Sequence, residues 1–354
     1  MKTMSDMRQR LDALTQPGSL FTREEDGLRC FACAHRCLIK PGRRGVCYMR
    51  ANIDGELRVP WGYVTAANLD PIEKKPFMHF LPGSSALTFG MLGCNFRCDF
   101  CQNWVSSQTL RDPAADSGLH YIQETTPDAL VNYALRSGAK SIVSSYNEPL
   151  ITTEWSLEIF RLARAQGLKT AYVSNGFATA EVLHALRPNL DALKIDLKCL
   201  TDTGYRQLGG RLEPVLDTIH LAHELGIWVE VVTLIIPGFN DGNEALWDSA
   251  RAILSVSPDI PWHVTAYYPT YKHTSGGRTP AETIQRAAEI GQEAGLRYVY
   301  AGNLPGKVGS LENTHCPACQ AALIERRGYR LGANRLTREG NCPDCGERIA
   351  GIWH

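Results

Sequence analysis

The sequence has no excess of charge of either sign and no long apolar run. Its 354 residues carry 37 Lys and Arg against 37 Asp and Glu, so the overall charge gives no support to long-range attraction toward nucleic acid or an anionic membrane. No run approaches the roughly 18 apolar residues of a transmembrane helix, and residues 1–19 indicate a short polar helix without the apolar stretch of a signal peptide. We therefore expect a cytoplasmic protein with no membrane partner.

Cysteine, in contrast, is abundant, with 12 residues. Cytoplasmic cysteines are better interpreted as metal ligands or reactive thiols than as disulfides, because that compartment keeps thiols reduced. Cys199 stands alone and is most simply a small buried hydrophobic residue. The others form three groups: Cys30, Cys33, Cys37 and Cys47; Cys94, Cys98 and Cys101; and Cys316, Cys319, Cys342 and Cys345.

The middle group lies in the stretch GCNFRCDFCQNW at 93–104 and has no fourth cysteine beside it. A structural zinc site takes four protein ligands, and ordinary iron–sulfur clusters also take four thiolates. Three thiolates favour a [4Fe–4S] cluster whose remaining iron is free to bind an exogenous ligand, with Phe96 and Phe100 excluding water. The alternative is a zinc knuckle completed by a distant residue.

Between residues 86 and 302, short apolar or β-branched runs alternate with amphipathic helical stretches, which is the pattern of βα units around a parallel sheet. One expected helix covers 126–138, with Thr126 as N-cap before a proline. The fold class is α/β, and periodicity leaves open a full or partial (β/α) TIM-type barrel and an open doubly wound sheet. The expected strands are 86–92, 141–146, 170–175, 192–197, 228–236, 263–268 and 298–302.

The two flanks do not follow this pattern, so we predict four parts. The C-terminal cysteines form two C-x2-C knuckles typical of a structural zinc ribbon, with a second iron–sulfur cluster as the alternative. The irregular spacing of the N-terminal cysteines fits either zinc or an auxiliary [4Fe–4S] cluster. The parts are an N-terminal helix and extension (1–29), a Cys-rich metal-binding module (30–85), the βα barrel (86–305) and a zinc-ribbon-like module (306–354).

The spacing C-x3-C-x-aromatic-C after the first strand resembles that of the radical S-adenosylmethionine (SAM) superfamily. The motifs YNEP, SNGF, DLK and IIPGFND are similar to those of pyruvate formate-lyase activating enzymes. The stretches CFACAHRCLIKPGRRGVC, PIEKKPFMHFLPGS, YVYAGNLPG and CPxC…CPxC…GIWH resemble the AmmeMemoRadiSam system radical SAM enzymes. This resemblance implies that SAM chelates the open iron, and that one electron cleaves its C5′–S bond to methionine and a 5′-deoxyadenosyl radical.

The resemblance also implies which residues contact SAM. Glu148 stands where the family has Gly-Gly-Glu-Pro and would pair with the SAM amino group, although Tyr146 and Asn147 replace both glycines and reduce backbone freedom. Short polar side chains after the third strand suit the ribose, and a Pro-Gly turn suits the adenine. The implied cofactor-binding set is Phe100, Asn147, Glu148, Ser174, Asn175, Asp196, Lys198, Pro237 and Gly238.

Four residues are expected to contribute to catalysis: Asp196, Lys198, His263 and Tyr267. Alternation places Asp196 and Lys198 on one face of a strand, where two buried charges must pair or meet a ligand. A structural ion pair is the alternative for those two. His263 and Tyr267 are expected to share a face of a later strand, and a satisfied core histidine is the alternative for His263.

The predicted function is hydrogen abstraction from a macromolecular substrate by a radical SAM enzyme, either as a glycyl-radical activase or as a modifier of protein or RNA. The expected cofactors are a [4Fe–4S] cluster, SAM and zinc. The expected partners are an electron donor such as flavodoxin or ferredoxin and, from the resemblance, AMMECR-type and Memo-type proteins. The alternatives are an iron–sulfur or zinc redox-sensing binding protein that does not cleave SAM, and a radical SAM enzyme acting on a small molecule.

Overall fold

The computed structural model describes residues 4–354, and its first part consists of short antiparallel strands. The expected polar helix is present as α1 (Met4–Ala13), while residues 1–3 lie outside the described part. Six of the seven strands in this part form two three-stranded sheets, ordered β1-β6-β5 and β2-β3-β4, and β7 pairs with a later strand. The seven strands are β1 (Thr15–Pro17), β2 (Phe21–Glu24), β3 (Gly27–Cys30), β4 (Leu38–Ile39), β5 (Ala51–Ile53), β6 (Glu56–Pro60) and β7 (Tyr63–Val64).

An eight-stranded sheet forms the centre of the molecule, in the order β16-β15-β14-β13-β12-β11-β9-β8. Its strands are parallel except for β8, which runs antiparallel to β9, and the short β10 pairs with β7 instead. Within residues 4–354 the edge strands β8 and β16 do not pair with each other, so the barrel is partial. The strands are β8 (Ala66–Pro71), β9 (Ser85–Gly90), β10 (Gln123–Glu124), β11 (Ser141–Ser144), β12 (Lys169–Ser174), β13 (Ala192–Asp196), β14 (Trp228–Ile235), β15 (Trp262–Ala266) and β16 (Val299–Gly302).

Helices connect these parallel strands. Thr126 caps α3 by accepting a hydrogen bond from Ala129 N at 3.2 Å, with a proline at the next position, as expected. Gly167 and Gly226 follow α4 and α7 with φ of +78° and +69°, which a residue with a side chain adopts less readily. The helices are α2 (Trp104–Ser107), α3 (Pro127–Arg136), α4 (Thr153–Ala165), α5 (Ala180–Leu186), α6 (Asp202–Gln207), α7 (Glu213–Glu224), α8 (Asn243–Leu254) and α9 (Ala281–Ala294).

Two strands connect neighbouring predicted parts. β3 extends to Cys30, which pairs with Phe21 of β2. β8 lies in the predicted N-terminal module and joins the barrel sheet through six residue pairs with β9. Its sequence, AANLDP, contains Asn, Asp and Pro, which are depleted in strands, so propensity did not indicate it. The N-terminal part and the barrel therefore share one sheet.

The C-terminal part consists of β17 (Thr314–His315), β18 (Ala322–Arg327) and β19 (Arg330–Asn334), which form an antiparallel sheet. It is bound to the segment between β8 and β9, since Arg326 donates to Met78 O at 2.8 Å and Ile352 N donates to His79 O at 2.7 Å. No helix in the described chain is long and apolar enough to span a bilayer.

Candidate active site

A cavity of about 410 Å³ lies inside the partial barrel. Strand alternation determines which side chains face it: Lys194 and Asp196 from β13, Val232 from β14, and His263 and Thr265 from β15 line its wall. The loops that follow the carboxyl ends of β9, β11 and β12 line the same cavity, as expected for parallel βα units. The strand pattern thus brings most of the predicted polar residues to one place.

The loop after β9 carries Cys94, Cys98 and Cys101 to this cavity. Gly93 precedes it with φ of +91°, and a Cβ there would lie 2.3 Å from Met49 Cγ, so only glycine fits this turn. Arg111 holds the loop from outside by donating to the carbonyl oxygens of Phe96 and, at 3.0 Å, of Cys94. The three thiols are therefore fixed by backbone contacts on both sides.

The three thiols fit a cluster better than a single ion. In the described chain, no three ligand atoms in this loop lie within 4.8 Å of one another, whereas the C-terminal cysteines do meet that spacing. Burial raises the pKa of Cys98 to about 12, against the opposing charge of Lys198, so the bare thiol stays protonated and metal binding must displace its proton. The Nδ2 of Asn95, next to Cys94, is buried without a hydrogen-bond partner and is available to a cluster sulfur.

Glu148 is the buried carboxylate of the cavity. One of its oxygens accepts hydrogen bonds from Ser174 Oγ at 2.7 Å and Leu150 N at 3.0 Å, and the other from Asn175 N at 2.8 Å. Burial raises the pKa of Glu148 to about 7, although these hydrogen bonds lower it. A carboxylate in this state gains from a cationic ligand, because such a ligand favours the ionised form.

Ser174 and Asn175, predicted to contact a ribose, are engaged with their neighbours. Asn175 Nδ2 donates to Asn95 Oδ1 at 2.7 Å, and Ser174 Oγ donates to Glu148. Asn147 likewise accepts from Met91 N at 2.9 Å through its side-chain oxygen. All of these side chains line the cavity, together with Phe100, and they also order the backbone around Glu148.

Tyr146 takes the place of a family glycine in a glycine-like conformation, with φ of +69°. Its ring lies under the Lys75 ammonium at 4.5 Å, and its hydroxyl donates to Asp70 at 2.9 Å. Lys75 also forms an ion pair with Asp70 at 2.7 Å. These contacts to strand β8 and the segment after it hold a backbone conformation that is strained for tyrosine.

Asp196 pairs with two lysines. Lys198 Nζ lies 3.3 Å from its Oδ2, and Lys194 contacts its Oδ1. Burial opposes ionisation of Asp196, but the two lysines, Lys194 before Lys198, lower its pKa overall. The ion pair of the alternative interpretation is present between Asp196 and Lys198. Both residues also line the cavity, so the predicted contact with SAM or substrate is compatible with that pair.

His263 lines the cavity, but its Nε2 lies 2.7 Å from a carboxylate oxygen of Glu230. Glu230 also accepts from Met78 N and His79 N, at 2.9 Å each. Burial opposes its ionisation, yet the His263 contact lowers the pKa of Glu230 overall. His263 is thus a satisfied buried residue at the base of the cavity, as the alternative interpretation proposed.

Three predicted residues do not line the cavity. Tyr267 lies one position past the end of β15, is fully buried, and donates its hydroxyl to His273 O. Pro237 and Gly238 form the turn after β14, where Gly238 N donates to Asp241 Oδ1 at 2.9 Å. In the described chain, His263 lines the cavity and Tyr267 does not, because β15 ends between the two residues. The two side chains therefore do not face the cavity together.

Sequence reasoning missed several cavity residues. Lys194 carried a signal, since it is a charged residue inside an otherwise apolar strand, where a charge needs a partner. Glu230, which is not part of the lining but contacts His263, carried the same signal. Tyr300 in β16, stacked on His263 at 5.3 Å between ring centres, looked like an ordinary apolar strand residue. Lys75 and Tyr329 come from the flanking parts, and no local pattern indicated that they reach the barrel.

The C-terminal cysteines are arranged for a single ion. Their four sulfurs lie within 4.8 Å of one another, with Cys316 to Cys345 at 3.6 Å and Cys319 to Cys342 at 3.7 Å. A tetrahedral ion with Zn–S bonds of about 2.3 Å would set its sulfur ligands about 3.8 Å apart. Cys199 is buried and donates to Thr201 O at 3.6 Å, as expected of a residue outside the metal groups.

Comparisons with known proteins agree with this site. The model of the radical SAM superfamily matches residues 89–253. The uncharacterized protein MJ0808 of Methanocaldococcus jannaschii is 39% identical over 329 residues, which are 92% of this chain and 96% of that protein. The pyruvate formate-lyase-activating enzyme of Clostridium pasteurianum is 26% identical over 179 residues, 49% of this chain and 71% of that enzyme. A solved radical SAM methyltransferase from Sphaerobacter thermophilus is similar over 91% of this chain and 86% of its own, with 16% identity and a TM-score of 0.48.

Residues 89–253 of the chain match the radical SAM superfamily, and this match supports the prediction of an enzyme of that class. Pyruvate formate-lyase activating enzymes are among its distant homologues. The radical SAM match implies a [4Fe–4S] cluster and SAM, and the loop at 94–101 has the three thiols that such a cluster requires.

Proposed function

We propose that this protein cleaves SAM reductively and abstracts a hydrogen atom from a macromolecular substrate. The observation that carries the proposal is the convergence of three thiols and the buried Glu148 carboxylate on one cavity. Cys94, Cys98 and Cys101 would hold a [4Fe–4S] cluster, and its chemistry when bound would be the one-electron reduction that converts SAM into methionine and a 5′-deoxyadenosyl radical. The chain's own residues bind, orient and shield the reactants.

Cys94, Cys98 and Cys101 hold the cluster, and Glu148 accepts the SAM ammonium. Glu148 suits this role because three donors already fix its position and its pKa of about 7 leaves it ready to ionise beside a cation. Phe100, 8% exposed, excludes water from the cluster side of the cavity.

The lysine pair around Asp196 provides two cationic donors at the cavity wall. We assign Lys198 and Asp196 to contacts with SAM or substrate, with Asn147, Ser174 and Asn175 ordering the SAM side. Pro237 and Gly238 shape the loop beyond β14. We assign His263 and Tyr267 to positioning roles, because the His263 ring contacts Glu230 and the Tyr267 hydroxyl donates to His273 O.

A protein substrate is favoured by the activating-enzyme relatives, which are named for the activation of pyruvate formate-lyase. A glycyl-radical activase is therefore the leading form of the proposal, with protein or RNA modification as its variants. Flavodoxin or ferredoxin would donate the electron, and AMMECR-type and Memo-type proteins are the proposed partners of an AmmeMemoRadiSam system enzyme. The proposed compartment is the cytoplasm, where thiols stay reduced.

We further propose that Cys316, Cys319, Cys342 and Cys345 bind zinc. The support is the tetrahedral spacing of the four sulfurs, which matches the Zn–S bond length. Four thiolates leave no open position, so the ion is structural. Tyr329, in the turn after β18, lines the cavity, and the ion would stabilise the sheet that presents it.

The first test is anaerobic reconstitution, reduction with dithionite, addition of SAM and measurement of 5′-deoxyadenosine. Wild type and Cys199→Ala should both form it, whereas Cys98→Ala should not. Cys199 is the matched control, because it is a buried cysteine outside the three groups. Intact SAM in the iron-loaded wild type would support the redox-sensing alternative and contradict the proposal.

The substrate class is tested by deuterium transfer. An extract of cells grown in deuterated medium is separated into protein, RNA and small-molecule fractions, and each is incubated with the reduced enzyme and unlabelled SAM. Deuterium in 5′-deoxyadenosine should appear with the protein fraction. Deuterium from the small-molecule fraction alone would refute the macromolecular substrate while leaving SAM cleavage established.

A further inference from the structure

The N-terminal cysteines share one buried site. Cys30, Cys33 and Cys47 are buried, Cys37 is half-buried, and Cys30 N donates to Cys37 O at 2.9 Å. Their thiols are close enough for charge on one to affect another, since Cys30, Cys47 and Cys37 all act on Cys33. Four soft ligands around one point select zinc or an iron–sulfur cluster.

His35 contacts the loop after β9 and the loop after β12. Its Nε2 lies 3.1 Å from Asn95 O, and its ring packs edge-on against Phe177 with 4.9 Å between centres. Ala34 N, the neighbouring backbone group, donates to Phe177 O at 3.0 Å. The four thiols are therefore the ligand set considered for this site.

The distances between the sulfur atoms distinguish a zinc site from an iron–sulfur cluster site. Zinc requires sulfurs about 3.8 Å apart, and the C-terminal cysteines have that arrangement at 3.6 and 3.7 Å. In the described chain, no three of the N-terminal sulfurs lie within 4.8 Å of one another. The superfamily cluster loop has the same wide spacing. We propose that Cys30, Cys33, Cys37 and Cys47 bind a second [4Fe–4S] cluster rather than zinc.

Arg50 provides an independent observation at this site. Its side chain is 2% exposed, and its two Nη atoms donate to the Glu154 carboxylate at 2.7 Å each. Its Nε is buried with no hydrogen-bond partner, and its charge interacts with Cys30 and Cys47. A cluster carries sulfides and a net negative charge, and hydrogen bonds to its sulfurs tune its potential. The unused donor fits such a sulfur.

The site lies directly beside the loop of the first cluster. A Cβ on Gly93 would be 3.2 Å from Cys47 O, so the two backbones are nearly in contact. Arg111 joins them by donating both to Val46 O at 2.7 Å and to Cys94 O at 3.0 Å. The second cluster would therefore be a neighbour of the first, separated by a short stretch of buried backbone.

The test measures iron and sulfide in the full-length chain after anaerobic reconstitution, with electron paramagnetic resonance after reduction by dithionite. Wild type should hold about eight iron atoms, as two [4Fe–4S] clusters require. The triple variant Cys94→Ala/Cys98→Ala/Cys101→Ala should keep about four and a reduced-cluster signal. Cys30→Ser/Cys33→Ser should lose about four, and Cys199→Ala should lose none.

About four iron atoms in wild type, together with about two zinc ions per chain in the triple variant instead of the one expected at the C-terminal cysteines, would overturn the proposal. So would an unchanged iron content in Cys30→Ser/Cys33→Ser. The wild-type count needs no substitution, so a variant that fails to fold leaves the test decisive. None of these readouts depends on SAM cleavage, and the proposal can fail while the proposed function stands.

Discussion

SAM binding should strengthen as pH rises through 7, because only the ionised form of Glu148 attracts the SAM ammonium. Burial raises the pKa of Glu148 from 4.5 to about 7, so about one tenth of this carboxyl is ionised at pH 6 and about half at pH 7. The apparent Kd scales inversely with the binding-competent fraction. We expect SAM to bind about fivefold more weakly at pH 6 than at pH 7.

The assay is equilibrium dialysis of labelled SAM against the anaerobic protein with its cluster oxidised, so that SAM is not consumed. The SAM amino group stays largely protonated over this interval, since α-amino groups titrate near about 8. Glu148→Gln should bind more weakly, because the SAM ammonium would lose a charged hydrogen-bond acceptor, worth about 1.5–3 kcal/mol. Its Kd should not change with pH.

Glu158→Gln is the matched control, because Glu158 is an exposed carboxylate of α4 paired with Arg161. It should keep the fivefold pH dependence. A wild-type Kd that is equal at pH 6 and pH 7 would refute the reasoning. The same conclusion follows if Glu148→Gln retains the pH dependence, since another group would then be titrating.

Three further predictions concern the parts around the cavity. Arg50→Ala should lower the free energy of unfolding by about 3–5 kcal/mol in chemical denaturation, because Glu154 is left as a buried unpaired charge. Gly93→Ala should reduce iron content and melting temperature, because its Cβ would lie 2.3 Å from Met49 Cγ at a φ of +91°. Cys342→Ser should abolish zinc binding, measured by elemental analysis, and lower the melting temperature.

Each of these has its own control. Replacing both members of the buried pair, Arg50→Met with Glu154→Leu, should recover most of the lost stability, because no charge remains unpaired. Gly242→Ala should be silent, since nothing lies within 4 Å of a Cβ there and φ is −70°. Cys199→Ala should retain zinc. Equal effects of the two glycine variants would contradict the steric argument at Gly93.

The parallel strands were predictable because each is a short apolar run between helical stretches. The expected strand at 192–197 is observed at Ala192–Asp196, and that at 228–236 at Trp228–Ile235. The edge strand β8 was not predictable, because its pairing with β9 depends on tertiary contacts and its residues are poor strand formers. Local periodicity therefore predicted the parallel strands, whereas their arrangement as a partial barrel and the strand at the sheet edge required the structure.

The residues of the candidate site also fall into those that the sequence indicated and those that it did not. The cysteine spacing and the carboxyl ends of the strands indicated the cluster loop, Glu148 and Asp196, because both signals are local. Lys75 and Tyr329 reach the cavity from distant parts of the chain, and no local pattern reports such an approach. Tyr267 was misplaced because alternation was extended one residue beyond the end of β15.

The contacts between the C-terminal part and the barrel imply that the two unfold together. Arg326, with 0% side-chain exposure, donates to Met78 O, and His79 contacts Ala350 O at 2.6 Å. Removing the C-terminal part would leave these buried polar groups without partners, at about 1–3 kcal/mol each. A barrel released by proteolysis would therefore fold poorly without the C-terminal part. The full chain should unfold in a single cooperative thermal transition and lose its metals in that same transition.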